Sequence, residues 1–254
     1  MWNAAWTTCQ DLLILFASLP RETMASLPAK TLLAGLLQTL DGPAPLVILP
    51  HDNPDPDALA SAAALKFLVK ALLKKGSDPN TRTETVPVHG LMQFDASWVN
   101  FDGQTPFVRA ALSGDIEVMR LLLENGADAN LATTQGTTAL MAAAGVNWQF
   151  SQTYDERPAA LLEAVKLCAD LGLDVNAVNS MGLTALHGAA NRGSDDIIKF
   201  LVEKGARIDV KDKEGRTPLT WAEGVFLATI PARPKPTSIA LLKSLMGNPS
   251  STQQ

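Results

Sequence analysis

Residues 182–209 read GLTALHGAANRGSDDIIKFLVEKGARID. Two short helices in succession account for this stretch. Thr184 is a residue that starts a helix, because its side-chain oxygen can accept a backbone N–H of the first turn. The residues after it are small, with Ala189 and Ala190 letting a neighbouring helix approach closely. Gly193 then marks a tight turn, where a positive φ costs glycine nothing. DDIIKFLVEKG places apolar residues at i, i+3 and i+4, one helical stripe. Gly205 ends that second helix, where a left-handed residue is needed.

The same unit recurs along the chain. GQTPFVRAA (103–111), GTTALMAAA (136–144) and GRTPLTWAE (215–223) repeat the first half. LLKKGSDPN (72–80), LLENGADAN (122–130) and ADLGLDVNA (169–177) repeat the end of the second. Thr105, Thr138, Thr184 and Thr217 are therefore expected to be helix caps, with Pro106 and Pro218 at the first helical position, where their fixed φ fits. Gly76, Gly126, Gly172 and Gly205 are expected to stop second helices. Asn100, Asn179 and Asp212 lie three residues before Gly103, Gly182 and Gly215, the pattern of a type I turn. The paired helices should be 105–112 with 116–125, 138–145 with about 158–171, and 184–191 with 195–204.

From about residue 65 to 246 this pattern resembles the ankyrin repeat, whose signature is D-x-x-G-x-T-P-L-H-x-A-A followed by a second helix and G-A-D-x-N. The resemblance implies an all-α solenoid of four to five repeats with hairpin fingers, in which stacking supplies the core that a lone repeat lacks. It also implies a non-enzymatic scaffold that binds another protein through a concave surface of first helices and finger tips. At the family's TPLH position stands His187, whose imidazole is then expected to hydrogen-bond between repeats.

Departures from the period locate two inserts. Helix-ending and turn glycines stand ten residues apart three times, but 27 apart between Gly76 and Gly103. Turn and helix-ending glycines stand 23 apart twice, but 36 apart between Gly136 and Gly172. The first insert, near 84–100, lies in a finger and carries Val86, Pro87, Val88, His89, Met92, Phe94 and Trp98, with Phe101 after it. The second, near 146–158, lies between two helices and carries Trp148, Phe150 and Tyr154. Aromatics on loops of a rigid scaffold suit partner contact, so Trp98, Phe101, Trp148, Phe150 and Tyr154 are the candidate binding residues. The competing reading is that they fold back and plug the longer loops.

Composition narrows the function further. Of 254 residues, 46% are hydrophobic and 19% charged, a globular balance. The net charge of −5 offers no basic surplus for nucleic acid. Cys9 and Cys168 stand too far apart in sequence for a disulfide framework, and Cys168, on an apolar stripe, reads as a core residue. No apolar run is long enough for a membrane span. The apolar Asp11-LLILFASLP has no Lys or Arg before it, so it is read as a buried or amphipathic helix rather than a secretory signal, which points to the cytoplasm.

Residues 1–64 do not follow the repeat and are read as an N-terminal cap, and 247–254 as a disordered tail. Over about 31–69, an apolar run, then His51-DNPDPDALASAAALKFLV, resembles the first motif of DHH-family phosphoesterases. That resemblance implies a manganese role for His51, Asp55 and Asp57, but the Asp-His-His motif that names the family is absent, so the alternative to a plain cap is a fusion whose N-terminal segment is a truncated phosphoesterase remnant. Without a second ligand cluster no two-metal site can be completed. The plain alternative makes Asp55 a helix cap, Pro56 the first helical residue and Asp57 a first-turn acid. The expectation is therefore no cofactor, no metal and no phosphodiesterase turnover.

Overall fold

The structure, a computed structural model, describes residues 69–83, 102–148, 158–225 and 232–247. After a helical segment at 69–74 come α1 (Pro106–Ser113), α2 (Ile116–Glu124), α3 (Ala139–Ala144), α4 (Pro158–Asp170), α5 (Ala185–Arg192), α6 (Asp195–Glu203), α7 (Pro218–Glu223) and α8 (Pro236–Gly247). No strand occurs among the described residues. The three helix pairs expected from the period are α1 with α2, α3 with α4, and α5 with α6.

Local chemistry sets the helix starts. Oγ1 of Thr105 accepts the Val108 N–H and Oγ1 of Thr138 the Met141 N–H, each at 3.3 Å; Thr217 accepts the Thr220 N–H at 3.4 Å. Pro106 and Pro218 follow as first helical residues. In the tight turns Gly114 and Gly193 take φ of +78° and +81°, left-handed values that L side chains rarely adopt. Gly126, Gly172 and Gly205 close the second helices at φ of +86°, +85° and +88°. Pro236 opens the final helix, where its missing N–H is one the first turn does not use.

Packing follows from the stripe pattern. α1, α3, α5 and α7 stack in sequence as one layer, and each carries its partner α2, α4, α6 or α8 behind it. Ala110, Ala111, Ala143, Ala144, Ala189 and Ala190 are at most 1% exposed, which is what lets the inner layer close up. The tightest approach is at Gly188 of α5. A Cβ there would stand 2.5 Å from the Val146 nitrogen and 2.8 Å from the Gly145 carbonyl carbon. Met119, Leu122, Ile197, Ile198 and Leu201 fill the space between layers. Cys168 is buried with them, and burial pushes its thiol pKa up to about 12. No helix among the described residues is long and apolar enough to cross a membrane.

Candidate binding surface

The fingers are hairpins closed by their own polar residues. Asn179 N–H donates to the Leu183 carbonyl at 3.0 Å, Gly182 N–H to the Asn179 carbonyl at 2.9 Å, and Asn179 Oδ1 accepts the N–H groups of Met181 and Leu183. Asp212 builds the last finger the same way, its Oδ1 accepting from Glu214 and Arg216. In the finger ending at Gly136, Thr133 takes this role. Successive fingers join by one backbone bond each: Thr134 N–H to Asp102 O, Ser180 N–H to Gln135 O, and Lys213 N–H to Met181 O, at 2.8–3.0 Å. Their donors thus satisfied, the tips leave Thr134, Ser180, Lys213 and Glu214 exposed on a fixed edge.

The asparagine of G-x-D-x-N ties repeats together further back. Asn80 donates to the Gly126 carbonyl and accepts from Asp128 N–H; Asn176 does the same with Gly205 and Arg207, at 2.7–3.0 Å. The bonds of Asn130 run to Asp128 in its own turn, at the step where the 13-residue insert enlarges the next repeat.

His187 joins the last two repeats. Its Nδ1 accepts the Thr184 N–H at 3.1 Å and lies 2.9 Å from Thr184 Oγ1, while Nε2 lies 3.3 Å from the Arg216 carbonyl. With Nδ1 an acceptor, the ring is neutral and Nε2 carries the proton. Burial lowers its pKa below the ordinary histidine value, outweighing the carbonyls and the Asp212 charge. Beside it, Asp212 Oδ2 accepts from Arg216 Nε at 2.7 Å and from the Trp221 indole N–H at 2.8 Å. Burial alone would raise the Asp212 pKa, but these bonds and the Arg216 charge hold it below the usual carboxylate value.

The opposite edge, where the first and second helices of each repeat join, holds a recess of about 580 Å³ lined in part by Trp148, Leu161, Arg192, Asp195 and Lys235. Trp148 is half-buried against the core, with the Arg192 guanidinium 5.7 Å and Lys235 Nζ 6.0 Å from its ring centre. Arg192 also donates to the Leu112 and Ala143 carbonyls at 3.2 Å, binding the C-terminal ends of α1 and α3 from α5. Sequence reasoning missed Arg192. A basic residue in a last helical turn was the available signal, but its two acceptors belong to other repeats. Gly188 was missed because its close neighbours lie on α3's far end, more than forty residues earlier.

Of the candidate aromatics, Trp148 alone lies among the described residues. Trp98, Phe101, Phe150 and Tyr154 lie outside them, as do His51, Asp55, Asp57 and His89, the proposed cap and residues 248–254 of the tail, whose first residue, Gly247, instead closes α8. Among the described residues no three His, Cys, Asp or Glu side chains are grouped to hold a metal ion.

Comparison with known proteins agrees with this geometry. The family model for ankyrin repeats matches residues 58–148 and 159–224, in three copies, which is more than half of the chain. Ankyrin repeat domain-containing protein 46 of Rattus norvegicus and that of Mus musculus are each 38% identical over 129 residues, covering 50% of this chain and 49% of theirs. The chain thus spans about half the length of the curated relatives it matches. Ankyrin repeats are generally protein-binding scaffolds rather than catalysts.

Proposed function

Because this chain belongs to the ankyrin repeat family, we propose that it is a non-enzymatic scaffold that holds a protein partner on its concave side, the side of the first helices and finger tips. The carrying observation is the row of fingers joined by backbone hydrogen bonds with their tips exposed, a fixed surface that loses little entropy on binding. The inserts near 84–100 and 146–158 set which partner is held, through Trp98, Phe101, Trp148, Phe150 and Tyr154. Trp148, just beyond the end of α3, extends that surface along the first-helix layer to the rim of the recess, where its cationic neighbours hold the ring in place. Residues 1–64 cap the solenoid, the protein works in the cytoplasm, and it uses no cofactor, nucleic acid or membrane.

Affinity capture tests the reading. Intact protein is compared with a variant lacking residues 84–100, with helical circular dichroism recorded for both. Loss of a reproducible partner from the shortened variant at unchanged helicity supports the assignment. Equal capture by both removes the first insert from it, and no partner for the intact protein counts against the scaffold itself.

A further inference from the structure

We propose that the junction between the α5 and α7 repeats is an acid-sensitive joint, at which protonation of His187 releases the C-terminal repeat from the rest of the solenoid. His187 reaches from α5 to the carbonyl of Arg216 in the next finger, and its ring stands edge-on to Trp221 of α7 at 6.5 Å between centres. The neutral ring uses both nitrogens, one accepting and one donating. A second proton on Nδ1 destroys the acceptor. Thr184 Oγ1 can turn to accept from it, but the Thr184 backbone N–H cannot turn and would face another N–H at 3.1 Å.

The surroundings give an imidazolium little support. Asp212 and Arg216 are the charges acting on the ring, and they are paired with each other at 2.7 Å, so the carboxylate is largely offset. α3 contributes no titratable group. On α6, Asp196, Lys199 and Glu203 are exposed and Asp195, half-buried, accepts from Ser238 of α8. On the α7 side Lys211, Lys213, Glu214 and Glu223 are exposed, and the remaining charge on α5 is Arg192, held at the α1 and α3 ends. The lowered pKa of the ring has the same cause, its burial. A folded pKa below the unfolded value means that stability present at neutral pH is lost as pH falls below about 6.5, where the opened form takes up the proton more readily than the folded one.

Two features confine the effect to this joint. The equivalent positions in the other first helices are Val108, Met141 and Thr220, none of which titrates in this range. The α7–α8 unit also packs mainly on its own helices and on α5 and α6, reaching the earlier repeats through the Lys235 side chain beside the Trp148 ring, so it can leave without unstacking α1–α4.

Hydrogen exchange of the full chain at pH 7.5 and 5.0, corrected for intrinsic rates, tests this. The opening equilibrium of amides in 210–247 should rise more than threefold and up to about 30-fold, the limit reached when the opened form alone takes up a proton over that interval. Amides in 106–144 should change less than about threefold. His187→Gln should abolish the pH response of the C-terminal segment. Uniform change along the chain, no change in 210–247, or a response surviving in His187→Gln overturns the proposal. Should the variant fail to fold, NMR titration of the His187 ring in the natural chain decides. Protonation accompanied by loss of the native α7 signals supports the joint, and protonation with those signals intact overturns it.

Discussion

At Gly188 helix propensity and packing point in opposite directions, and packing should win. Alanine is favoured over glycine inside a helix by about 1 kcal/mol, yet its Cβ would meet backbone atoms at 2.5 and 2.8 Å, which cannot rotate away. Gly188→Ala is therefore expected to destabilise by about 1–3 kcal/mol, read as a lower denaturation midpoint; an unchanged or raised midpoint would show that α3 and α5 are spaced more widely. Gly193→Val differs in kind. Its Cβ meets the flexible Lys235 side chain first, at 2.9 Å, so the expected loss of about 1–3 kcal/mol comes from the left-handed backbone, and an unaltered melting curve would contradict the turn. Asp212 supplies the pH test of the last finger. Asp212→Asn weakens charge-assisted bonds to Arg216 and Trp221 and should cost about 1.5–3 kcal/mol at pH 7. Because the folded pKa is depressed, this advantage of the natural residue is present above the unfolded carboxylate value of about 3.9 and lost as pH falls through the folded value. The gap between the two proteins should accordingly close in acid, and a gap constant down to pH 2.5 would separate it from the carboxylate.

Helices and turns were legible wherever their cause is local. A threonine before a small-residue run, a proline after it, and a glycine closing each apolar stripe act within a few residues, and the structure places the caps and left-handed glycines where those signals stand. Contacts between elements were less legible. Nothing near Arg192 in sequence announces the Leu112 and Ala143 carbonyls, and the small residues around Gly188 look alike until α3 is laid against them. The asparagine ties give this scale its prediction. Asn80→Ala and Asn176→Ala each remove two hydrogen bonds to the following repeat and should cost about 1–2 kcal/mol, whereas Asn130→Ala loses a single side-chain bond within its own turn and should cost about 0.5 kcal/mol or less. Chemical denaturation of the three variants checks the order, and equal losses would contradict it.

For the molecule as a whole, repetition made the fold readable and irregularity holds the specificity. A 17-residue and a 13-residue departure from an otherwise even period carry most of the candidate contacts, yet a loop's aromatics obey no periodic rule, so exposure at Trp98 or Tyr154 has no sequence signature. Trp98→Ala and Trp148→Ala should weaken partner capture about tenfold or more while helicity stays constant, as expected of interface anchors. Joint loss of folding and capture would instead make the two side chains structural plugs. The central claim, that the partner sits on the finger and first-helix side, is tested most directly by hydrogen-exchange footprinting of the full chain with the partner recovered by capture. The account predicts new protection in the fingers at 102–105, 131–138, 178–184 and 210–217 and in the first helices. Protection confined to the outer faces of α2, α4 and α6, with the fingers unchanged, would contradict it.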